Sequence, residues 1–268
     1  MKTTGKKIRL DMLLVEKNLT DSRNRAQALI MAGKVRVNDQ VLTKSGTLVN
    51  PEANITLENP DEWASRGAKK LLKAFDCFDI NVGGKICADF GASTGGFTDV
   101  LLRNGAAKVY AIDVGYGQLI WRLANDPRVV IMDRTNARYL TRENFPDEIY
   151  FATCDVSFIS LKLIIPVIDA ILNNDSGEAA VLIKPQFEAG REKISHGVIK
   201  DRNIHTEVLE NICEFITKNS QLKISGLTHS PIRGPEGNIE FLCWLTRHYS
   251  RKPTHEEICE IVNQAHES

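Results

Sequence analysis

The chain has 268 residues, 43% of them hydrophobic, with 34 basic and 34 acidic side chains, which is enough for one large or two modest globular domains with a real core. Its six cysteines, at 77, 87, 154, 213, 243 and 259, form no Cys-x-x-Cys pair and have no histidine at ligand spacing. They point to neither a zinc site nor a disulfide framework, but to the reduced, mostly buried thiols of a cytoplasmic protein without a metal. The most apolar stretch, 158–172, is broken by Lys162, Pro166 and Asp169, and the N-terminus leads into a charged helix, so no membrane span is expected.

The zero net charge hides an asymmetry. Residues 1–46 carry ten Lys and Arg against four acids, a net +6 that the remainder balances with −6, as expected for an attached module that meets a polyanion. In that module Leu10, Leu13 and Leu14 share one face of a first helix. Ser22 is placed to cap a second, on which Ala26, Leu29 and Ile30 recur before Gly33 ends it. A small sheet follows: Val35 and Val37 alternate inward, Asn38-Asp39 turns, and Val41, Val49, Ile55 and Leu57 continue the strands. Arg9, Arg23, Arg25, Lys34 and Arg36 fall between the core positions and can share an exposed face. This stretch, especially Ser22-Arg-x-Arg-Ala…Gly33-Lys-Val-x-Val-Asn38, resembles the small S-four-like RNA-binding module shared by a small-subunit ribosomal protein and many RNA-modifying enzymes. The resemblance implies that those five cations contact RNA.

Turn signals at Asn50-Pro51 and Asn59-Pro60 place a boundary, giving domain 1–60, a linker at 61–65 and a second domain at 66–268. Trp63 can pack on either side. The second domain alternates strand and helix, the pattern of an open, mainly parallel α/β sheet. Strands are predicted at 85–90, 108–113, 128–132, 150–154, 179–183, 222–227 and 239–245, with helices in the other gaps and a final amphipathic helix at 254–266. Only residues 230–238 separate the last two strands, too few for a crossover helix, so these should pair antiparallel.

The first of these strands runs into Cys87-Ala-Asp-Phe-Gly-Ala-Ser-Thr-Gly-Gly-Phe-Thr98 and then a helix. A dinucleotide loop needs glycines at its first, third and sixth positions, where this chain has Gly91, Ser93 and Gly96. Read instead at every second position, Asp89, Gly91, Ser93 and Gly95 resemble the S-adenosylmethionine loop of Rossmann-like methyltransferases. Asp113 ends the next strand at about the 20-residue offset of ribose-binding carboxylates. The predicted cofactor set is Asp89, Gly91, Ala92, Ser93, Gly95, Gly96, Phe97 and Asp113.

Four ionisable residues fall at the rim where ligands of such sheets lie: Lys70 before the first strand, Asp155 ending the fourth, Lys184 ending the fifth and Glu240 entering the seventh. In that order they resemble the tetrad of FtsJ-type ribose 2′-O-methyltransferases. A ribose hydroxyl is a poor acid, so its base must be positioned and partly neutral, whereas a free lysine, with a pKa of about 10.4, is almost always protonated. The reading assigns Lys184 as base or steering group, Lys70 as the cation that tunes it, and Asp155 and Glu240 as orienters.

Ser65-Arg-Gly-Ala-x-Lys70-Leu, Gly91-Ala-Ser-Thr-Gly-Gly-Phe-Thr, Asp113-Val-Gly-Tyr-Gly-Gln-Leu, Arg134-Thr-Asn-Ala-Arg, Asp155-Val-Ser-Phe-Ile-Ser-Leu, Lys184-Pro-Gln-Phe-Glu and Gly234-Pro-x-Gly-Asn-x-Glu240 together resemble the TlyA family, which carries the label "haemolysin". The resemblance implies an S-adenosylmethionine-dependent ribosomal RNA cytidine 2′-O-methyltransferase acting on ribosomal subunits. It places Asn136 and Ala137 near the adenine and Tyr116 and Gln118 near the cofactor. The linker begins with Glu62 where a cation would suit RNA better, and the basic residues around 191–202 read as a substrate-facing lid. Among rival readings, Asp155-Val-Ser-Phe158 lacks the prolines of a base N-methylation motif, Cys154 reads as core rather than a C5-methylation nucleophile, and no pore-forming hairpin is evident. A non-catalytic RNA-binding or ribosome-assembly factor would use the basic module equally well; the tetrad argues against it.

Overall fold

The computed structural model describes residues 7–20, 22–57, 63–190, 192, 197–249 and 251–268. The chain divides into two compact units, 1–62 and 63–268.

In the first unit, β1 (Ile8–Arg9) leads into α1 (Leu10–Glu16) and α2 (Arg23–Met31), followed by β2 (Val35–Val37), β3 (Gln40–Val41), β4 (Leu48–Val49) and β5 (Ile55–Leu57). Ser22 caps α2 by accepting from the Arg25 amide, as its hydroxyl suits an unpaired first-turn N–H. Gly33, at φ +70°, takes the left-handed conformation just past the helix. Asn38 and Asp39, at φ +47° and +65°, form a two-residue turn whose twist suits the β2–β3 hairpin. The expected single sheet is two sheets, β3-β2-β5 and a β1–β4 ribbon, because Ile8 and Arg9 supply a strand ahead of the helices. Leu10, Leu13, Leu14, Ala26, Ile30, Val35, Val37 and Val49 close the core.

The second unit contains α3 (Ala68–Cys77), β6 (Ile86–Phe90), α4 (Gly96–Arg103), β7 (Lys108–Ile112), α5 (Trp121–Ala124), β8 (Val129–Met132), β9 (Phe151–Cys154) and α6 (Ile165–Ile171). Then come β10 (Glu178–Ile183), α7 (Pro185–Glu188), α8 (Arg202–Asn219), β11 (Lys223–His229), β12 (Phe241–Thr246) and α9 (His255–Glu267). One seven-stranded sheet runs β11-β12-β10-β9-β6-β7-β8. Only β12 runs against its neighbours, pairing antiparallel with both β10 and β11. The α/β methyltransferase-type architecture expected from the sequence is therefore present, with helices over both sheet faces.

Two details differ. The stretch between β8 and β9 holds only short 3-10 turns at 137–139 and 142–144, not an α-helix; Arg134 at φ +53° and Pro146 interrupt it. Residues 63–65, expected in the linker, are anchored on the second unit. Asp99 accepts from the Ala64 amide at 2.8 Å, and the Arg103 guanidinium lies 4.4 Å from the centre of the Trp63 ring. Strand order reverses around β6, which pairs with both β7 and β9, so a crevice opens beyond the carboxyl ends of these strands.

Candidate functional site

A cavity of about 380 Å³ occupies that crevice, lined by Ser65–Gly67, Lys70, Gly91–Thr94, Gly96, Phe97, Asp155 and Ile232–Gly234. The glycine loop is built to sit close. A Cβ on Gly91, which is at φ +82°, would come within 2.7 Å of the Asp155 carbonyl oxygen, and one on Gly96 within 2.2 Å of Ser65 Oγ. Asp113 orders the loop: its Oδ2 accepts from the Ser93 amide at 2.8 Å and its Oδ1 from the Gly115 amide at 2.7 Å and Gln118 Nε2 at 3.2 Å. One lone pair of Oδ2 has no partner among the described residues, and the carboxylate is only half-buried. A loop that needs glycine at 91 and 96 for close packing, beside a half-open carboxylate, suits a cofactor carrying ribose hydroxyls.

Of the predicted cofactor set, Gly91, Ala92, Ser93, Gly96 and Phe97 line the cavity. Gly95, at φ +97°, sits at the start of α4 behind them. Asp89 does not reach the cavity. It is wholly buried, and its carboxylate accepts from Thr98 Oγ1 at 2.6 Å and Thr153 Oγ1 at 2.9 Å. Burial pushes its pKa up to about 6, against the two hydroxyl donors. An acid on a central strand braces the loop from below, because its side chain alternates away from the crevice. Asn136 is exposed, caps the following turn by accepting from the Arg138 amide, and does not line the cavity.

The four ionisable residues meet at the cavity's edge. Lys184 Nζ lies 2.6 Å from Asp155 Oδ1, and Lys70 Nζ lies 3.3 Å from Asp155 Oδ2 and 2.7 Å from Glu240 Oε2. The two lysines are 6–7% exposed and Glu240 is wholly buried. Asp155 stands between the lysines, with one ammonium group on each of its carboxylate oxygens. Burial works against the Lys70 charge, but Asp155 and Glu240 outweigh it and hold its pKa above the usual lysine value. Burial likewise raises Glu240, with Lys70 opposing.

Sequence reasoning missed three contributors. Ser157 accepts from Lys184 Nζ at 2.8 Å. Glu188 joins the loops after β9 and β10, accepting from Ser160 Oγ at 2.6 Å and the Leu161 amide at 2.7 Å. In the first unit, Asp11 is wholly buried between α1 and α2. It accepts from Arg9 Nε and Nη2 (3.0 and 2.9 Å), Arg23 Nε (3.0 Å) and Gln27 Nε2 (2.9 Å). The Arg9 bonds hold its carboxyl well below the usual carboxylate range, against burial. Among the expected RNA contacts, Arg9 and Arg23 are thus paired but 41% and 54% exposed. Arg25 is exposed, Lys34 and Arg36 half-buried, and Arg36 donates to the Asp39 carbonyl. Of the basic segment at 191–202, residues 191 and 193–196 lie outside the described residues, as does Glu62.

This fold and this cavity define an S-adenosylmethionine-dependent methyltransferase joined to a small α+β module. The family model for FtsJ-like methyltransferase matches residues 63–247, and that for the S4 domain matches 8–55. The chain belongs to the TlyA family of FtsJ-like methyltransferases. It is 40% identical over 264 residues to the 16S/23S rRNA (cytidine-2′-O)-methyltransferase TlyA of Mycobacterium tuberculosis, covering 97% of this chain and 98% of that one. It is 44% identical over 237 residues to Hemolysin A of Brachyspira hyodysenteriae, covering 88% and 98%. A solved structure from Streptococcus thermophilus, provisionally described as a hemolysin, superposes with a TM-score of 0.74 at 42% identity, covering 98% of this chain and 96% of that one.

Proposed function

We propose that this protein methylates the ribose 2′-hydroxyl of a cytidine in ribosomal RNA, in the cytoplasm, with assembled or partly assembled ribosomal subunits as substrate. The observation that carries the reading is the continuous Lys184–Asp155–Lys70–Glu240 chain at the edge of the cofactor cavity. S-adenosylmethionine, when bound, supplies a methyl group on a positively charged sulfur, ready for in-line displacement. Gly91, Ala92, Ser93, Gly96 and Phe97 would hold it, with Asp113 on the ribose. The chain's own part is to hold and relieve the acceptor. Lys184 Nζ is the base or steering group: as the neutral amine it would take the hydroxyl's proton as the O–CH₃ bond forms, and as the ammonium it would only direct the hydroxyl. Asp155 fixes Lys184, while Lys70 and Glu240 fix Asp155 from behind, where preorganised charges need no rearrangement during the reaction.

Arg9, Arg23, Arg25, Lys34 and Arg36 would supply RNA affinity through phosphate contacts. Their names assign the TlyA relatives to ribosomal RNA cytidines, which favours the same acceptor here. Two rival readings have less support. Cytosine C5 methylation needs a thiolate, but Cys154 is buried and burial pushes its thiol up to about 12. For a membrane-active haemolysin, no helix among the described residues is long and apolar enough to cross a membrane.

Tritiated methyl transfer to purified ribosomal subunits, followed by alkaline hydrolysis, tests the proposal. Label should appear in an alkali-resistant dinucleotide and vanish with Lys184→Ala. Label on a base, or undiminished label in that variant, overturns it.

A further inference from the structure

Lys184 Nζ has two hydrogen-bond acceptors, and only one belongs to the charged set. Asp155 Oδ1 is 2.6 Å away, and Ser157 Oγ accepts from the same nitrogen at 2.8 Å. We infer that Ser157 is a positioning residue for methyl transfer: together with Asp155 it fixes two of the three free directions at Lys184 Nζ, leaving the third for the reacting hydroxyl. The inference rests on the ribose-methylation reading and adds a member to that site.

Three observations support it. First, an amine nitrogen on a flexible stem turns freely about its last bond. One acceptor leaves two staggered positions open to the lone pair of the neutral amine, and two acceptors leave it only the remaining direction. Second, the two ends of the run of contacts differ in exposure. Glu240 is wholly buried, Lys70 and Lys184 nearly so, Asp155 half-buried and Ser157 exposed. Ser157 is therefore the outer end of the chain, on the side from which a large substrate arrives. Third, the backbone that presents Ser157 is held in a costly conformation. Phe158 is at φ +63°, a region that a bulky side chain seldom adopts. Both oxygens of Glu188 clamp the loop two and three residues further on, at Ser160 and Leu161. A turn strained next to the reacting residues and tied down by a half-buried carboxylate fits a precisely aimed hydroxyl better than an incidental one.

The test uses the full-length protein as wild type, Ser157→Ala, Ser157→Thr and Lys184→Arg. In ¹⁵N-lysine-labelled protein without cofactor or RNA, the Lys184 Nζ signal is identified by its loss in Lys184→Arg. Its proton exchange with water should speed up at least about tenfold in Ser157→Ala and return in Ser157→Thr. With ribosomal subunits, Ser157→Ala should lower kcat about tenfold, leave KM for both substrates unchanged, and be rescued by threonine. Unchanged exchange in Ser157→Ala, an unchanged kcat, or a loss that threonine fails to restore overturns the inference. A wild-type protein that leaves the ribose unlabelled defeats only the underlying reading, because the exchange measurement still decides whether Ser157 holds Lys184.

Discussion

Each unit of this protein sets a carboxylate among cations, and the two arrangements are inverted. In the first unit the acid, Asp11, is wholly buried while its partners Arg9 and Arg23 remain 41% and 54% exposed. In the second, the cations Lys70 and Lys184 are withdrawn and the acid between them, Asp155, is half-open. A buried anion that grips guanidinium groups by one edge leaves their other N–H donors facing outward, which suits phosphates met over a broad surface. Buried ammonium groups gripped by a half-open carboxylate leave room for one small polar group. On the proposed function the same charges would serve affinity in one place and orientation in the other.

The sharpest way to break this comparison is Lys184→Ala. It should lower single-turnover methyl transfer by about 10²–10⁴, the range of positioned acid–base catalysis, while calorimetry shows S-adenosylmethionine binding intact. Asp11→Asn comes next. It removes the charge that organises Arg9, Arg23 and Gln27, so the first unit should lose about 1–3 kcal/mol of stability in a denaturant titration and bind RNA more weakly, with transfer of a saturating substrate unchanged. Because the folded Asp11 has a lowered pKa, its contribution is present above the unfolded value near 4 and is lost as pH falls through the lower folded value. Asp11→Asn should therefore flatten the acid limb of the stability curve; an unchanged limb would show that the carboxylate does not organise the unit.

Arg23→Ala with Arg25→Ala should weaken ribosome binding and reduce the salt slope by about two, one for each lost phosphate contact, without altering cofactor affinity. An unchanged slope removes those two residues from the RNA surface. The smallest effect on activity belongs to Asp89, which does not line the cavity. Its folded pKa, raised to about 6, means that stability present below about pH 4 is lost as pH rises through 6. Asp89→Asn should remove that decline, a change of about 2 kcal/mol between pH 4 and 7, measured by thermal unfolding. A decline that persists in the variant would place its origin elsewhere.

Much of this architecture was legible in the chain because it rests on local chemistry. Alternating apolar runs mark all seven strands of the large sheet to within about two residues at each end, and the short interval between the last two predicts their antiparallel pairing. Ser22, Gly33 and Asn38-Asp39 announce their cap, stop and turn by residue type alone. The segment between β8 and β9 was less legible: it forms only short turns at 137–139 and 142–144, although the gap is long enough for a helix.

The sequence by itself determined the element order, the glycine loop and the identity of four charged rim residues, since periodicity, turn chemistry and motif spacing are properties of neighbours along the chain. Only the tertiary structure decided which side chains share a proton or a charge. Asp155 stands between Lys70 and Lys184 and takes one ammonium group on each of its oxygens. Asp89 points under the loop instead of into the cavity. Asp11, Ser157 and Glu188 acquire partners up to 28 residues away. Hydrogen bonds and ion pairs act over about 3 Å of space whatever the separation in sequence, so these partnerships exist only once the strands have been laid side by side.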